Sequence, residues 1–162
     1  MAAKQIELNH QDLRNSVKMN ASSFTFIRKR LVREVHSDGS VNFFEGPIGA
    51  ERCVRMESPG GDEVHFYEGE KNAERLVRVE FATGAVSHYE GEKGEERMVR
   101  TWLLDDAVSY YEGEADAERR VRREYPSGRV EFFEGEHRWE RVVRIEHPDG
   151  RVEHLPVGSV WW

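Results

Sequence analysis

Along most of this chain apolar and polar residues alternate with a period of two in short runs, and nearly every run ends at a polar stretch containing glycine. That period puts successive side chains on opposite faces of a strand, whereas an amphipathic helix would space them at about 3.6. Val77-Arg78-Val79-Glu80-Phe81 is one such run. The next, Val86-Ser87-His88-Tyr89, is β-branched and aromatic and suits a pleated surface. Turn chemistry separates the paired runs: His147-Pro148-Asp149-Gly150 sets Pro where φ is wanted at about −65° and Gly where φ is positive. Ser37-Asp38-Gly39 and Pro126-Ser127-Gly128 repeat the theme. One copy carries an extra residue, at Pro59-Gly60-Gly61-Asp62, and another has Asp106 where the others have Gly. Both are expected to be local irregularities, the first because the extra residue lengthens its loop and the second because Asp tolerates positive φ less well than Gly.

The pattern returns about every 22 residues, a spacing typical of repeat arrays. Its template is E-R-x-V-R-x-E-x-x-x-G-x-V-x-x-[YF]-E-G-E-x-x-x, with copies starting near Arg30 and at Glu51, Glu74, Glu96, Glu118 and Glu140. Each copy reads as two strands joined by a hairpin, and the polar Glu-Gly-Glu connection turns the chain into the next. The expected fold is therefore all-β, an antiparallel meander of about twelve short strands in one elongated or curled sheet. Three regions follow: an N-terminal segment and cap (1–29), six hairpin repeats (30–155) and a C-terminal tail (156–162). Within the first region, Asn9 and Asp12 with Leu13 and Val17 suggest one short helix. Residues 22–27 (SSFTFI) read as a capping strand whose Phe24 and Phe26 cover the open end of the array.

Positions that recur in every copy show what the architecture requires. A first-strand Val (Val32, Val54, Val77, Val99, Val121, Val143) and a second-strand Val (Val41, Val64, Val86, Val108, Val130, Val152) are read as the core, since Val supplies packing and strand propensity and no chemistry. Arginine outnumbers lysine 19 to 5 and falls at fixed places beside recurring Glu, which predicts cross-strand ionic ladders. Arg119, Arg120, Arg122 and Arg123 cluster in copy five and form the candidate anion contact. Adjacent aromatics (Phe43-Phe44, Phe66-Tyr67, His88-Tyr89, Tyr110-Tyr111, Phe132-Phe133) must point to opposite faces, so one ring of each pair forms a second stripe. That stripe, Tyr67, Tyr89, Tyr111 and Phe133, is either covered by curling of the array or a candidate binding surface. Trp102, Trp139, Trp161 and Trp162 fall outside the template.

Composition narrows the function classes. With 38% hydrophobic and 34% charged residues the chain reads as globular, and a formal net charge of −7 argues against nucleic-acid binding, which needs a basic surface. Cys53 is the single cysteine and occupies an apolar template position, so it reads as a buried structural thiol in a reducing, cytoplasmic setting. No apolar run is long enough to span a membrane as a helix, which leaves at most a peripheral contact. A catalytic site would show as an asymmetric break in the repeat together with a nucleophile elbow, a phosphate-binding loop or a zinc-protease motif, and none is read. The seven His are scattered over different template positions, so no metal site or cofactor is expected.

Tyr67-Glu68-Gly69-Glu70, followed by a turn ending at Gly84 and then by Tyr89-Glu90-Gly91-Glu92, resembles the MORN repeat, as do the Pro-Asp-Gly turns. The likeness spans residues 30 to about 155, with E-R-x-V-R-x-E in place of that family's G-K-x-H-G-x-G middle. It implies an elongated array of β-hairpins that serves as a scaffold for protein association, sometimes beside a membrane. The expectation is a non-enzymatic scaffold that binds another protein or itself, through an edge strand or the stripe. The alternatives are a glycan module that stacks sugars on the stripe and a binder of anionic lipid headgroups through Arg119, Arg120, Arg122 and Arg123.

Overall fold

The computed structural model describes Gln5–Glu7 and residues 30–156. The short helix and the capping strand expected before residue 30, and the tryptophan pair at the C-terminus, lie outside the described residues. The chain divides into two compact units, Met1–Glu74 and Arg75–Trp162.

Both units are antiparallel meanders. The first contains β1 (Gln5–Glu7), β2 (Arg33–Val35), β3 (Val41–Glu45), β4 (Arg52–Glu57) and β5 (Glu63–Glu68). The second contains β6 (Arg75–Phe81), β7 (Val86–Glu90), β8 (Arg97–Trp102), β9 (Val108–Glu112), β10 (Arg119–Glu124), β11 (Val130–Glu134), β12 (Arg141–Glu146) and β13 (Val152–His154). Within each unit every strand pairs with the strand that follows it. β2 to β13 are the twelve strands of the repeats, and no α-helix occurs among the described residues.

The hairpin turns share one hydrogen-bond pattern. In copy three Gly84 N–H donates to Phe81 O at 2.7 Å and Phe81 N–H donates to Ala85 O at 2.9 Å. Copy four keeps both bonds, Asp106 N–H to Leu103 O at 3.0 Å and Leu103 N–H to Ala107 O at 2.9 Å, with Asp106 itself at φ 57°. The irregularity expected there is absent, because the short acidic side chain enters the left-handed region without disturbing the turn. Copy two does depart: Pro59–Gly61 forms a 3-10 turn, and Ser58 N–H donates across the longer loop to Glu63 O at 2.9 Å.

The connections between repeats depend on one glycine. Gly69 sits at φ +117°, and a Cβ there would lie 2.4 Å from the carbonyl oxygen of Ala73. No side chain fits that close approach, which explains a Gly after every Tyr-Glu or Phe-Glu pair.

The ladders slip by one residue at the same point of the template in four of the repeats. Register shifts fall where Val54, Val99, Val121 and Val143 stand opposite the join between the two aromatics of the partner strand. The first-strand valine therefore occupies a β-bulge, and the neighbouring N–H leaves the ladder. A carboxylate from the next repeat accepts it: Cys53, Leu76, Met98 and Arg120 donate to Glu74, Glu96, Glu118 and Glu140 at 3.3, 3.0, 2.9 and 3.2 Å. Within each unit the first glutamate of the template thus fastens to the strand of the repeat before it.

The recurring valines are not the buried set. Val41 is buried, the others described are partly exposed, and Val152 is 49% exposed. In the second unit the best-covered row instead crosses the strands through Val79, Ser87, Thr101 and Ser109, all at 7% exposure or less. Short side chains in a row are shielded by the taller residues beside them on the pleat, and Ser87 Oγ and Thr101 Oγ1 satisfy each other at 2.9 Å.

Candidate interaction surface

The face opposite that buried row carries the most regular chemistry of the protein. In the second unit the register sets Arg78 against His88, His88 against Arg100, Arg100 against Tyr110, Tyr110 against Arg122, Arg122 against Phe132, Phe132 against Arg144, and Arg144 against His154. Guanidinium and ring alternate across eight strands, because each first strand places Arg, and each second strand an aromatic or His, at the same height. Stacking follows: the Arg144 guanidinium lies 3.8 Å from the Phe132 ring centre and Arg122 lies 5.4 Å from that of Tyr110. In the first unit Arg33, Phe43, Arg55 and Phe66 form the same row, with Arg55 at 4.9 Å from the Phe43 ring.

The ionic partners of the ladder guanidiniums lie along the strand and not across it, while the cross-strand pairing expected from sequence holds at Arg119, which stands directly opposite Glu112 and 3.8 Å from it. Arg55 pairs with Glu57 at 2.5 Å, Arg78 with Glu80 at 3.2 Å and Arg144 with Glu146 at 3.0 Å; Arg122 pairs with Glu124 in the same way. Residues two apart share a face, and the place directly across is taken by an aromatic ring, so the carboxylate two residues on is the nearest available. The partners are between 32% and 44% exposed, so each pair is worth little by itself.

The four arginines of copy five are in one stretch of sequence but not in one site. Arg119 and Arg122 face the ladder side, while Arg120 and Arg123, paired with Tyr111 and Ser109, face the other. Each is already engaged. Arg119 lies 3.8 Å from Glu112, and Arg120 stacks at 4.1 Å on Phe133. Arg122 pairs with Glu124, and Arg123 binds Asp105 at 2.8 Å while stacking on Tyr125 at 4.8 Å.

The aromatic stripe expected from sequence lies on the face opposite the ladder. Tyr89, Tyr111 and Phe133 oppose Met98, Arg120 and Val142, and Tyr67 follows Phe66 on the other side of β5. Tyr67, Tyr89 and Tyr111 are half-buried, and Phe133, at 6% exposure, is closed off beneath Arg120.

Electrostatics follow the hydrogen bonds. The backbone N–H groups of Glu51 and Gly49 hold the Glu51 carboxyl below its usual range. For Glu96 and Glu140 partial burial works in the opposite direction, but donors from their own and neighbouring backbones prevail and lower both. Burial, with the positive charges of Arg100 and Arg78, lowers the His88 pKa, so its imidazole is neutral at pH 7. Burial also raises the Cys53 thiol, the opposite of what activates a nucleophile. Among the described residues no group of three or more His, Cys, Asp or Glu is placed to hold a metal ion. Nor is any helix among them long and apolar enough to cross a membrane.

Sequence reasoning missed the bulge and the fastening glutamates. The bulge has a visible trace, since two apolar residues stand side by side at Cys53-Val54, Leu76-Val77, Met98-Val99 and Val142-Val143 where strict alternation would separate them. The glutamates bond some 20 residues back along the chain, and no local pattern signals that. No family model matches the sequence, and comparison with curated proteins finds no significant similarity.

Proposed function

We propose that this chain is a non-catalytic, MORN-like repeat scaffold that presents its arginine–aromatic ladder to another protein. The observation that carries the reading is the regular alternation of guanidinium and ring on one partly exposed face. Arg and aromatic residues supply large, planar contacts at low entropic cost and dominate the energetics of protein interfaces. Here stacking and the carboxylate two residues along restrain the guanidinium groups before any partner arrives, which lowers the ordering cost of binding. The same element repeated strand by strand favours an extended contact over one enclosed pocket. A headgroup site at Arg119, Arg120, Arg122 and Arg123 has less support, since these side chains divide between two faces and each already has a partner. A cytoplasmic setting accords with the lone free thiol of Cys53.

The test compares affinity capture from a cell extract by the wild-type chain and by a triple variant, Arg100→Ala, Arg122→Ala and Arg144→Ala, after circular dichroism has shown equal folding. Proteins retained by the first and lost by the second support the reading. Equal capture by both overturns it.

A further inference from the structure

In the second unit one ladder arginine lacks its carboxylate. Arg78, Arg122 and Arg144 each pair with the glutamate two residues on, but Arg100 has Trp102 in that place and makes no ion pair among the described residues. Four guanidiniums therefore meet three carboxylates, and the excess of one positive charge is at Arg100. Its guanidinium lies 4.2 Å from the Trp102 ring centre instead.

The geometry points to a docking site, centred on Arg100 and Trp102, for a segment of a partner protein that carries one Asp or Glu side chain flanked by apolar residues. The fold itself identifies the missing group. Where the template is intact a carboxylate stands 2.5 to 3.2 Å from the arginine, as in Arg55–Glu57, Arg78–Glu80 and Arg144–Glu146, so a carboxylate from outside completes the same pair at Arg100. The imidazole of His88 lies directly across from Arg100. Its Nε2 is shielded from solvent without a hydrogen-bond partner, and its ring centre is 4.8 Å from that of Trp102.

The row through Trp102 sets the rest of the specificity. Across the strands it reads Glu80, Val86, Trp102, Val108, Glu124, an apolar centre between two acidic ends. Trp102 is 38% exposed and can cover hydrocarbon beside the incoming carboxylate. The flanking Glu80 and Glu124 are already paired with Arg78 and Arg122, which leaves one unmatched positive charge, so the fitting segment has a single acid rather than an acidic run. An open strand face does not enclose a small molecule, and a free carboxylate gains too little contact there to offset its lost freedom; the group has to arrive on a larger surface.

This inference rests on the reading of the ladder face as an interaction surface, and the two fail separately. The probe is acetyl-Leu-Glu-Leu-amide, titrated into the full chain while NMR follows the Trp102 indole N–H and the Arg100 side chain. A saturable shift is expected, at least tenfold weaker with acetyl-Leu-Gln-Leu-amide and lost in Arg100→Gln. The decisive variant is Trp102→Glu, which rebuilds the template and fills the site from within. It should unfold no earlier than wild type, yet lose the peptide response at least tenfold. Equal responses to the Glu and Gln peptides, or to peptide and inorganic phosphate, overturn the proposal, as does undiminished binding by a folded Trp102→Glu variant. A concentration-dependent mass of the free protein that Trp102→Glu abolishes overturns it in favour of a second copy as occupant. If the peptide fails while the triple ladder variant still loses captured proteins, this site is wrong and the face reading stands.

Discussion

The carboxylate of Glu118 accepts a hydrogen bond from the backbone N–H of Met98 at 2.9 Å, twenty residues back along the chain. That N–H is free because the bulge at Val99 takes it out of the ladder with β7. Glu118→Ala leaves a part-buried donor unmatched and removes a charge-assisted bond, so it should destabilise the chain by about 1–3 kcal/mol. Urea unfolding checks this against Glu114→Ala, in an exposed turn, which should stay within about 0.5 kcal/mol of wild type.

The fastening glutamates also set the response to acid. Glu51, Glu96 and Glu140 have folded pKa values below the ordinary carboxylate value of 4.5. A depressed folded pKa contributes stability that is present above the unfolded value and disappears as pH falls through the folded one. Thermal unfolding should therefore be insensitive to these groups from pH 7 to about pH 5 and lose stability below about pH 4.5. Glu96→Gln should start less stable at pH 7 and lose less on acidification. A wild-type melting temperature unchanged at pH 3 would contradict the linkage.

Much of this fold was legible because strands and turns are specified locally. The alternation in Val77-Arg78-Val79-Glu80-Phe81 and the Gly that ends most hairpin turns follow from side-chain direction and positive φ, and both are matched in β6 and at Gly84. Burial was less legible, because the pattern identifies which residues share a face but not which face is shielded. Ser87 and Ser109 look like surface residues, yet their short side chains disappear between taller neighbours, while Val152 stays open. The arginine cluster divides for a related reason. Arg119, Arg120, Arg122 and Arg123 are adjacent in sequence, and a strand with a bulge sends them to two faces.

Two glycines separate conformational strain from crowding. Gly69→Ala meets both, φ +117° and a carbonyl oxygen 2.4 Å from the new Cβ, and should cost about 2–3 kcal/mol or more. Gly150→Ala meets only φ +84°, with nothing within 4 Å, and should cost about 1 kcal/mol. Chemical denaturation of the two variants gives the ranking, and a reversed order would remove close approach as the reason for the recurring Gly.

Arg138 stands where other repeats have Gly49 or Gly94, at φ 67° with its side chain exposed. Its backbone N–H donates to Glu140 at 3.2 Å, a bond any residue can make, and its Nε contact with His137 at 3.0 Å is at the surface. Arg138→Gly relieves the left-handed strain at little loss of contact and should stabilise the chain by about 0.5–1 kcal/mol, read as a raised urea midpoint.

The ladder makes two kinds of contact at one arginine, and salt separates them. Arg144 lies 3.8 Å from the Phe132 ring centre and 3.0 Å from the Glu146 carboxylate. Double-mutant cycles with Arg144→Gln, Phe132→Leu and Glu146→Gln should give coupling of about 0.5–1 kcal/mol to the ring and no more than about 0.5 kcal/mol to the carboxylate. Raising the ionic strength from 0.05 to 1 M shortens the screening length to about 3 Å, so coupling to the exposed carboxylate should largely vanish. Coupling to the ring should persist, because the guanidinium packs against Phe132 by dispersion as well as by charge. If both couplings fall together, Arg144 is held by its charge alone, and the ladder is a row of ion pairs with rings beside it rather than a stacked surface.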